Sequence, residues 1–413
     1  MYLTGGKFTI YQPITLYQKF TADLIFTGHE MLTGESVLLT DETGIIIDIV
    51  DKAAAGDNIQ VFEGMLSPGF INCHCHLELS HLYGHIPEQT GLVDFILKIV
   101  NERYFDEAKI LAAIDNAENQ MLQNGIVAVG DICNNSLTLA QKRAGRLHYH
   151  NFIEASGFSP VVAATRFERA LLFFDMFKTV STSSVVPHAP YSVSPELFSL
   201  INMLPGNELL TIHNQETIAE NDFFENKSGD FLRLYKEMGI DTSFFEPLGK
   251  TSLQTWLPFF NKKQSIILVH NVTTSAADIS FIKQQTANLH TAKEGSKQQI
   301  FICLCPNANL YITNTLPNVN LFVENNCSIV LGTDSLASNH QLNILEEIKT
   351  LQKHFPQLPI FSLMQWATIN GAKALRMTDK LGSFDKGKKP GVILISGMDG
   401  WHVTKQAGVK RVI

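Results

Sequence analysis

Short apolar runs that close on one polar or ionisable residue recur along this chain, and the stretches between them place their apolar residues at helical spacing. Eight runs read as strands: Phe70–His76, Ile126–Ile132, His148–Ala155, Ser183–His188, Leu209–His213, Ile266–His270, Ile300–Cys305 and Ser328–Thr333. Among the helical stretches, Ala108–Asn124 carries Ile110, Leu111, Ile114, Ala117, Met121 and Leu122 and stops at Gly125. Phe167–Lys178 follows, then Ser194–Met203 with Ser194 as N-cap and Pro195 at the first helical position. Leu316–Asn325, Leu342–His354 and Ser362–Leu375 complete the series. Strands alternating with helices imply a parallel sheet, and eight such units imply an α/β fold of the (β/α)8 TIM-barrel type. An open doubly wound sheet would more often carry a glycine-rich phosphate loop after its first strand, where His74-Cys75-His76 stands instead.

The flanks have a different pattern. Ala22–Gly28, Ser36–Leu39 and Gly44–Val50 are short apolar or alternating runs parted by turn residues, and Gly391–Ile395 and Val409–Ile413 return to it at the other end. The expectation is a small β-sandwich domain built from residues 1–64 and 376–413, flanking a barrel domain over residues 65–375. Two long connections, Leu77–Ala108 and Glu216–Gln264, follow the C-terminal ends of strands. That end is the active-site face of such barrels, so both connections are expected to wall or cover a pocket.

Composition narrows the partners. Forty acidic residues against 32 basic give a formal charge of −8, which argues against a nucleic-acid or anionic-membrane surface. No apolar run is long enough to cross a bilayer, and Met1 to Gln12 lack the features of a secretory signal, so a cytoplasmic location is expected. Of the six cysteines, Cys73, Cys75, Cys303 and Cys305 lie in apolar runs and read as reduced, packed thiols. A metal site at Cys303 and Cys305 is the lesser reading.

The candidate chemistry starts at His74 and His76. Two residues apart on a strand, they face the same way with Cα atoms about 7 Å apart, close enough for both imidazoles to reach one ion. Alone, the pair serves equally well as two half-buried histidines. The run Leu209–His213 then leads into Glu216, Ile266–His270 ends in a histidine, and Ile329–Asp334 ends in a carboxylate. Each delivers a metal-type side chain to the same rim of the proposed barrel, and together they outweigh the bland reading.

These residues, with Pro68-Gly69-Phe70-Ile71-Asn72, Pro187-His188-Ala189-Pro190-Tyr191-Ser192, Leu304-Cys305-Pro306-Asn307, Gly332-Thr333-Asp334-Ser335 and Ala367 to Ala372, resemble the amidohydrolase superfamily. The likeness is to its aminohydrolases of nucleosides and related heterocycles, and it covers most of the chain. It implies one divalent ion, zinc or else iron, on His74, His76, His213 and Asp334, with His270 as a catalytic residue beside it. Two-metal members usually carry a bridging lysine on strand four, and Ser183–His188 has none. A zinc-bound water has a pKa near 7, and its hydroxide would attack the amino-bearing ring carbon. Glu216 would move a proton to the adjacent ring nitrogen. Asp334 would pass one to departing ammonia, and His270 would hydrogen-bond the oxygen on the tetrahedral carbon.

The resemblance also gives His188 a substrate contact, while Glu78 and Ser80 face sugar hydroxyls or cap a turn. Arg146 and Arg166 read as surface ion pairs or as carboxylate binders. His81, His85 and His340 read as loop residues, and Trp256 as lid or core. The implied substrate is an adenine-containing nucleoside or thioether, of methylthioadenosine, S-adenosylhomocysteine or aminodeoxyfutalosine type. The alternatives are a hydrolase of guanine, cytosine or a chlorotriazine on the same site and, remotely, a non-catalytic barrel subunit. A small-molecule substrate and a homo-oligomeric assembly are the expected partners. The other zinc-deaminase class needs a His-x-Glu motif with Pro-Cys-x-x-Cys, and Cys305-Pro306 has the wrong order. Lys388-Lys389 stands where many family members have an Ala-Asp pair, which bears on packing in the small domain.

Overall fold

The computed structural model describes residues 17–261, 263–287 and 298–413, so Met1 to Gln12 lie outside the described residues. The strands are β1 (Gln18–Phe26), β2 (Met31–Thr33), β3 (Ser36–Thr40), β4 (Ile46–Asp51), β5 (Gln60–Pro68), β6 (Phe70–Cys75), β7 (Ile126–Cys133) and β8 (His148–Ala155). They continue as β9 (Thr182–Pro187), β10 (Leu209–Asn214), β11 (Ser265–His270), β12 (Ile300–Leu304), β13 (Ser328–Leu331), β14 (Val392–Asp399) and β15 (His402–Arg411). The fold is mixed α/β.

β6 to β9 form one four-stranded parallel sheet in chain order, and β10 to β13 form another. All eight coincide with apolar runs of the sequence to within a residue or two. They are buried along nearly their whole length, as parallel strands covered on both faces must be. The two sheets approach each other twice. His213 N–H donates to the carbonyl of His188 at 3.0 Å, and Cys75 forms a parallel bridge with Asp334. Close approach at the second junction needs Gly332, where a Cβ would sit 2.8 Å from Cβ of His74 and 3.0 Å from the sulfurs of Cys303 and Cys305.

β1 to β5 and β14 to β15 make a seven-stranded mixed sheet in which β14 pairs with β5, so the two flanks of the chain meet in it. One side carries its own apolar core of Phe20, Ile25, Leu38, Ile46, Leu66 and Val392. The C-terminal runs are longer than their apolar parts, forming an antiparallel hairpin through Gly400 and Trp401.

The long connections are not bare loops. Leu77–Leu82 is a 3-10 turn, Leu92–Glu102 is a helix, and Ile218–Asn226, Phe231–Glu237 and Ser252–Trp256 are short helices. Their side chains, with Phe158 and Tyr191 from other strand-end turns, build a second apolar core that includes Leu82, Ile86, Leu92, Phe95, Phe223 and Phe231. This core stands beside the strand ends that bear the candidate residues. Among the described residues no helix is long and apolar enough to cross a membrane.

Candidate active site

His74 lies near the end of β6 and His76 just beyond it, His213 near the end of β10, His270 at the last position of β11, and Asp334 past β13. Two turns of sequence separate none of these from an apolar run, so the buried strands fix where the polar ends arrive. His76 Nε2 lies 3.2 Å from Nε2 of His74 and 3.2 Å from Nε2 of His213. Asp334 Oδ1 stands 3.5 Å from Nε2 of both His74 and His76. A tetrahedral ion with bonds of 2.0–2.1 Å has ligand–ligand edges of about 3.3–3.4 Å. The four atoms therefore have the spacing and the nitrogen–oxygen chemistry of a divalent-metal site, and His74, His76 and His213 lie close enough together to hold an ion.

The surroundings prepare these groups. His213 Nδ1 lies 2.7 Å from the carbonyl of His188. Burial, then the neighbouring rings of His188 and His74, lower the pKa of His213 to about 4, so the ring is neutral and open to a cation. Burial and His74 likewise hold His76 well below the ordinary histidine value. Burial pushes the Asp334 carboxyl up, but a hydrogen bond from His74 and the rings of His76, His74 and His270 outweigh it and keep the acid ionised. Ser338 donates to Asp334 Oδ2 at 2.6 Å. His270 and Asp334 both have positive φ, at 73° and 58°, in the left-handed region that bulky residues avoid. Such strain gathers where geometry is held for chemistry.

Glu216 is buried, and its Oε1 lies 3.6 Å from His270 Nε2. Burial first, then Asp334 and Glu220, raise its pKa well above the carboxylate norm. Both effects favour the neutral acid over the carboxylate. Asn309 Nδ2 lies 3.1 Å from His270 Nδ1.

A cavity of about 380 Å³ opens on the cluster and is lined by His76, His188, His213, Glu216, His270 and Asp334. Its far wall is apolar, with Leu92, Phe95, Ile96, Leu234, Tyr235 and Ile312 from or beside the long connections. Glu78 also lines it, accepting from the backbone N–H of Asn134 at 3.0 Å, and burial raises its pKa to about 7. His188 bonds Ser192 through Nδ1 at 2.8 Å and stacks at a tilt 4.8 Å from His213. Arg166 stands exposed on the cavity wall.

Other candidates have structural places. Ser80 donates to the carbonyl of Leu77 within its own turn. Arg146 pairs with Asp115 and Glu118. Trp256 is core, its Nε1 donating to Asn214 Oδ1 at 3.1 Å. His81 meets the carbonyl of Arg103, while His85 and His340 pair with Glu102 and Glu88. All six cysteines are free, and Cys303 and Cys305 join no metal-type cluster among the described residues. β9 carries no lysine. Sequence reasoning missed Glu154, Asn134 and Asn309. Glu154 could have been found, since it too is a carboxylate near the end of an apolar run, and with His188 and His213 it makes a second cluster beside the first.

Comparison with known proteins agrees with this geometry. The family model described as "Amidohydrolase family" matches residues 65–411. An adenosine deaminase of Helicobacter pylori is 26% identical over 333 residues, 78% of this chain and 76% of that protein. A 5-methylthioadenosine/S-adenosylhomocysteine deaminase of Desulforamulus reducens is 25% identical over 351 residues, 79% of this chain and 71% of that one. Among solved structures, the aminofutalosine deaminase of Helicobacter pylori in complex with methylthio-coformycin superposes with a TM-score of 0.77 at 22% identity, covering 92% of this chain and 93% of that one.

Proposed function

The chain belongs to the amidohydrolase family, and on that premise we propose that it is a metal-dependent hydrolytic deaminase of an adenine-containing nucleoside or thioether. The observation that carries this reading is the convergence of His74, His76, His213 and Asp334 on one point, with Glu216 and His270 beside it at the floor of a single cavity. Three imidazoles and one carboxylate suit a single divalent ion, zinc by preference and Fe²⁺ by the same donor set. An ion held there acts as a Lewis acid and makes a water nucleophilic at neutral pH.

This chain's residues do the rest. Asp334, kept ionised, takes a proton from the water and later hands it to the amino group, which leaves as ammonia. Glu216 gives its proton to the ring nitrogen next to the attacked carbon, so charge does not build on the ring, and it regains a proton from the new hydroxyl as that carbon becomes a carbonyl. His270 Nε2–H hydrogen-bonds the oxygen newly attached to that carbon. A C–O bond forms and a C–N bond breaks. His188 and Glu78 are assigned to the substrate, and the apolar wall from Leu92 to Ile96 suits an uncharged group on the sugar's 5′ carbon.

We read the two four-stranded sheets as halves of a (β/α)8 barrel joined at His188–His213 and Cys75–Asp334. The seven-stranded sheet is assigned to a small β domain from both flanks, a sandwich around the Phe20–Leu66 core. β5 continues to Pro68, and we put the join with the barrel at Gly69.

The test is a screen of the zinc-loaded protein for ammonia release from adenosine, 5′-deoxyadenosine, methylthioadenosine, S-adenosylhomocysteine, guanine and cytosine, and for chloride release from a chlorotriazine. Turnover of at least one 6-aminopurine nucleoside is expected. Release from guanine or cytosine alone would move the assignment to the other heterocycles.

A further inference from the structure

A lysine and an aspartate are buried together behind the metal cluster, and the chemistry above uses neither. Asp131 is on β7, and Lys142 is on the short helix Leu139–Arg143. Lys142 Nζ lies 2.5 Å from Asp131 Oδ2, and neither side chain is exposed at all. The ammonium also donates to Cys133 Sγ at 3.0 Å and lies over the rings of Tyr149 and Phe177, 5.1 and 4.8 Å from their centres. An ion pair so deep is a poor stabiliser, because desolvation of both charges offsets their attraction, and apolar residues of similar size often do as well. Its place therefore calls for another reason.

The other carboxylate oxygen shows one. Asp131 Oδ1 accepts the backbone N–H of Leu77 at 2.9 Å. Leu77 opens the 3-10 turn that follows His76, and the first N–H groups of any helical turn lack partners within it. A capping side chain on the residue before such a turn reaches the second or third N–H, so the first must find its acceptor elsewhere. The residue before this turn is His76, which makes no side-chain cap bond and whose Nε2 lies 3.2 Å from Nε2 of His74. A second bond ties the same turn to the same strand end, from Asn134 N–H to Glu78 at 3.0 Å. The turn that leaves His76 is thus held from β7.

We infer that Asp131 and Lys142 are positioning residues for His76: Asp131 caps the first N–H of the turn that leaves His76, fixing the backbone that carries the imidazole, and Lys142 holds the carboxylate aimed at Leu77. This rests on the metal reading of the cluster.

Two double variants separate geometry from stability. Asp131→Asn with Lys142→Met keeps an oxygen for Leu77 and removes both charges, whereas Asp131→Leu with Lys142→Met removes the cap as well. Metal-free samples are titrated with Zn²⁺ against a chelating dye, and their thermal melts are recorded alongside. The Asn variant is expected to bind Zn²⁺ like the parent. The Leu variant should bind about 10–100-fold more weakly, the usual effect of losing a residue that orients a ligand. Equal affinity in the two double variants would overturn the inference. A parent that binds no Zn²⁺ would overturn the metal reading instead. Hydrogen exchange of the metal-free parent needs no variant: the Leu77 amide should exchange slowly, and free exchange there would remove the cap whatever the variants do.

Discussion

Nδ1 of His213 donates to the backbone carbonyl of His188 over 2.7 Å. A carbonyl oxygen accepts only, so the ring proton sits on Nδ1 and the lone pair on Nε2, the atom 3.2 Å from His76. In the proposed site the ring is thus set as a ligand before any cation arrives. The protein is accordingly expected to retain about one divalent ion per chain after dialysis, as a four-donor site would. His213→Ala should lose it while keeping the far-UV spectrum of the parent. Metal analysis showing a tightly held pair of ions would refute the single site.

Glu216→Gln tests the proton donor apart from the ligands. The amide fills the same space and leaves His74, His76, His213 and Asp334 untouched, so bound metal should be unchanged. Turnover should drop by roughly 10²- to 10⁴-fold, the range for losing a general acid–base group. If kcat stays near the parent value, Glu216 has no part in the chemistry.

Glu347 gives a pH dependence remote from substrate. Its carboxylate accepts from Asn307 N–H and from Asn339 Nδ2–H, which also holds the carbonyl of Thr333 next to Asp334. Burial raises its pKa to about 8 in the folded chain, against 4.5 for the free group. Below the lower value both states are protonated and nothing is lost; between the two values the folded state binds the extra proton, so stability falls as pH rises toward about 8. Glu347→Gln lacks that slope. Thermal melts of parent and variant at pH 6, 7, 8 and 9 should show the variant gaining relative stability with pH, and a difference that stays constant would rule out the buried titration.

Gly332→Ala should be costly at one place. The new methyl would press on Cβ of His74 and on the sulfurs of Cys303 and Cys305, side chains held in packed strands. Overpacking of this kind costs about 1–3 kcal/mol. Because His74 is among the atoms displaced, zinc affinity should fall along with the melting temperature. A variant that melts lower but binds zinc as before would mean the strain relaxes through the cysteines.

How much of this was legible beforehand depended on burial. The strands of the two parallel sheets could be read because each is an apolar run closed by a polar residue: Leu209–His213 was expected and Leu209–Asn214 is observed. β5 was missed because its first residues are exposed and its pairing partners, β1 and β14, come from both ends of the described chain. Ser362–Leu375 divides at Thr368, whose φ and ψ of −131° and −90° break the helix. Leu316–Asn325 starts only at Val319, where the Asn318 side chain caps it. The candidate ligands were proposed through strand ends and likeness, and the structure brings neighbouring ones to within 3.2–3.5 Å. Asn309 and the Lys142–Asp131 pair were not, since hydrogen bonds between distant segments leave no periodic trace.

The bridge between Cys75 and Asp334 has a bearing on how the protein is made. Asn72 and Thr333, joined by a hydrogen bond at the same seam, are 261 residues apart. A ribosome that has released the histidines of β6 must synthesise most of the remaining chain before their carboxylate partner exists. Until then the nascent protein exposes a half-built cluster to the cell's metals. On the proposed metal reading, capture of the ion is a late event in biosynthesis, and metal content reports whether the first and last strands of this region have met.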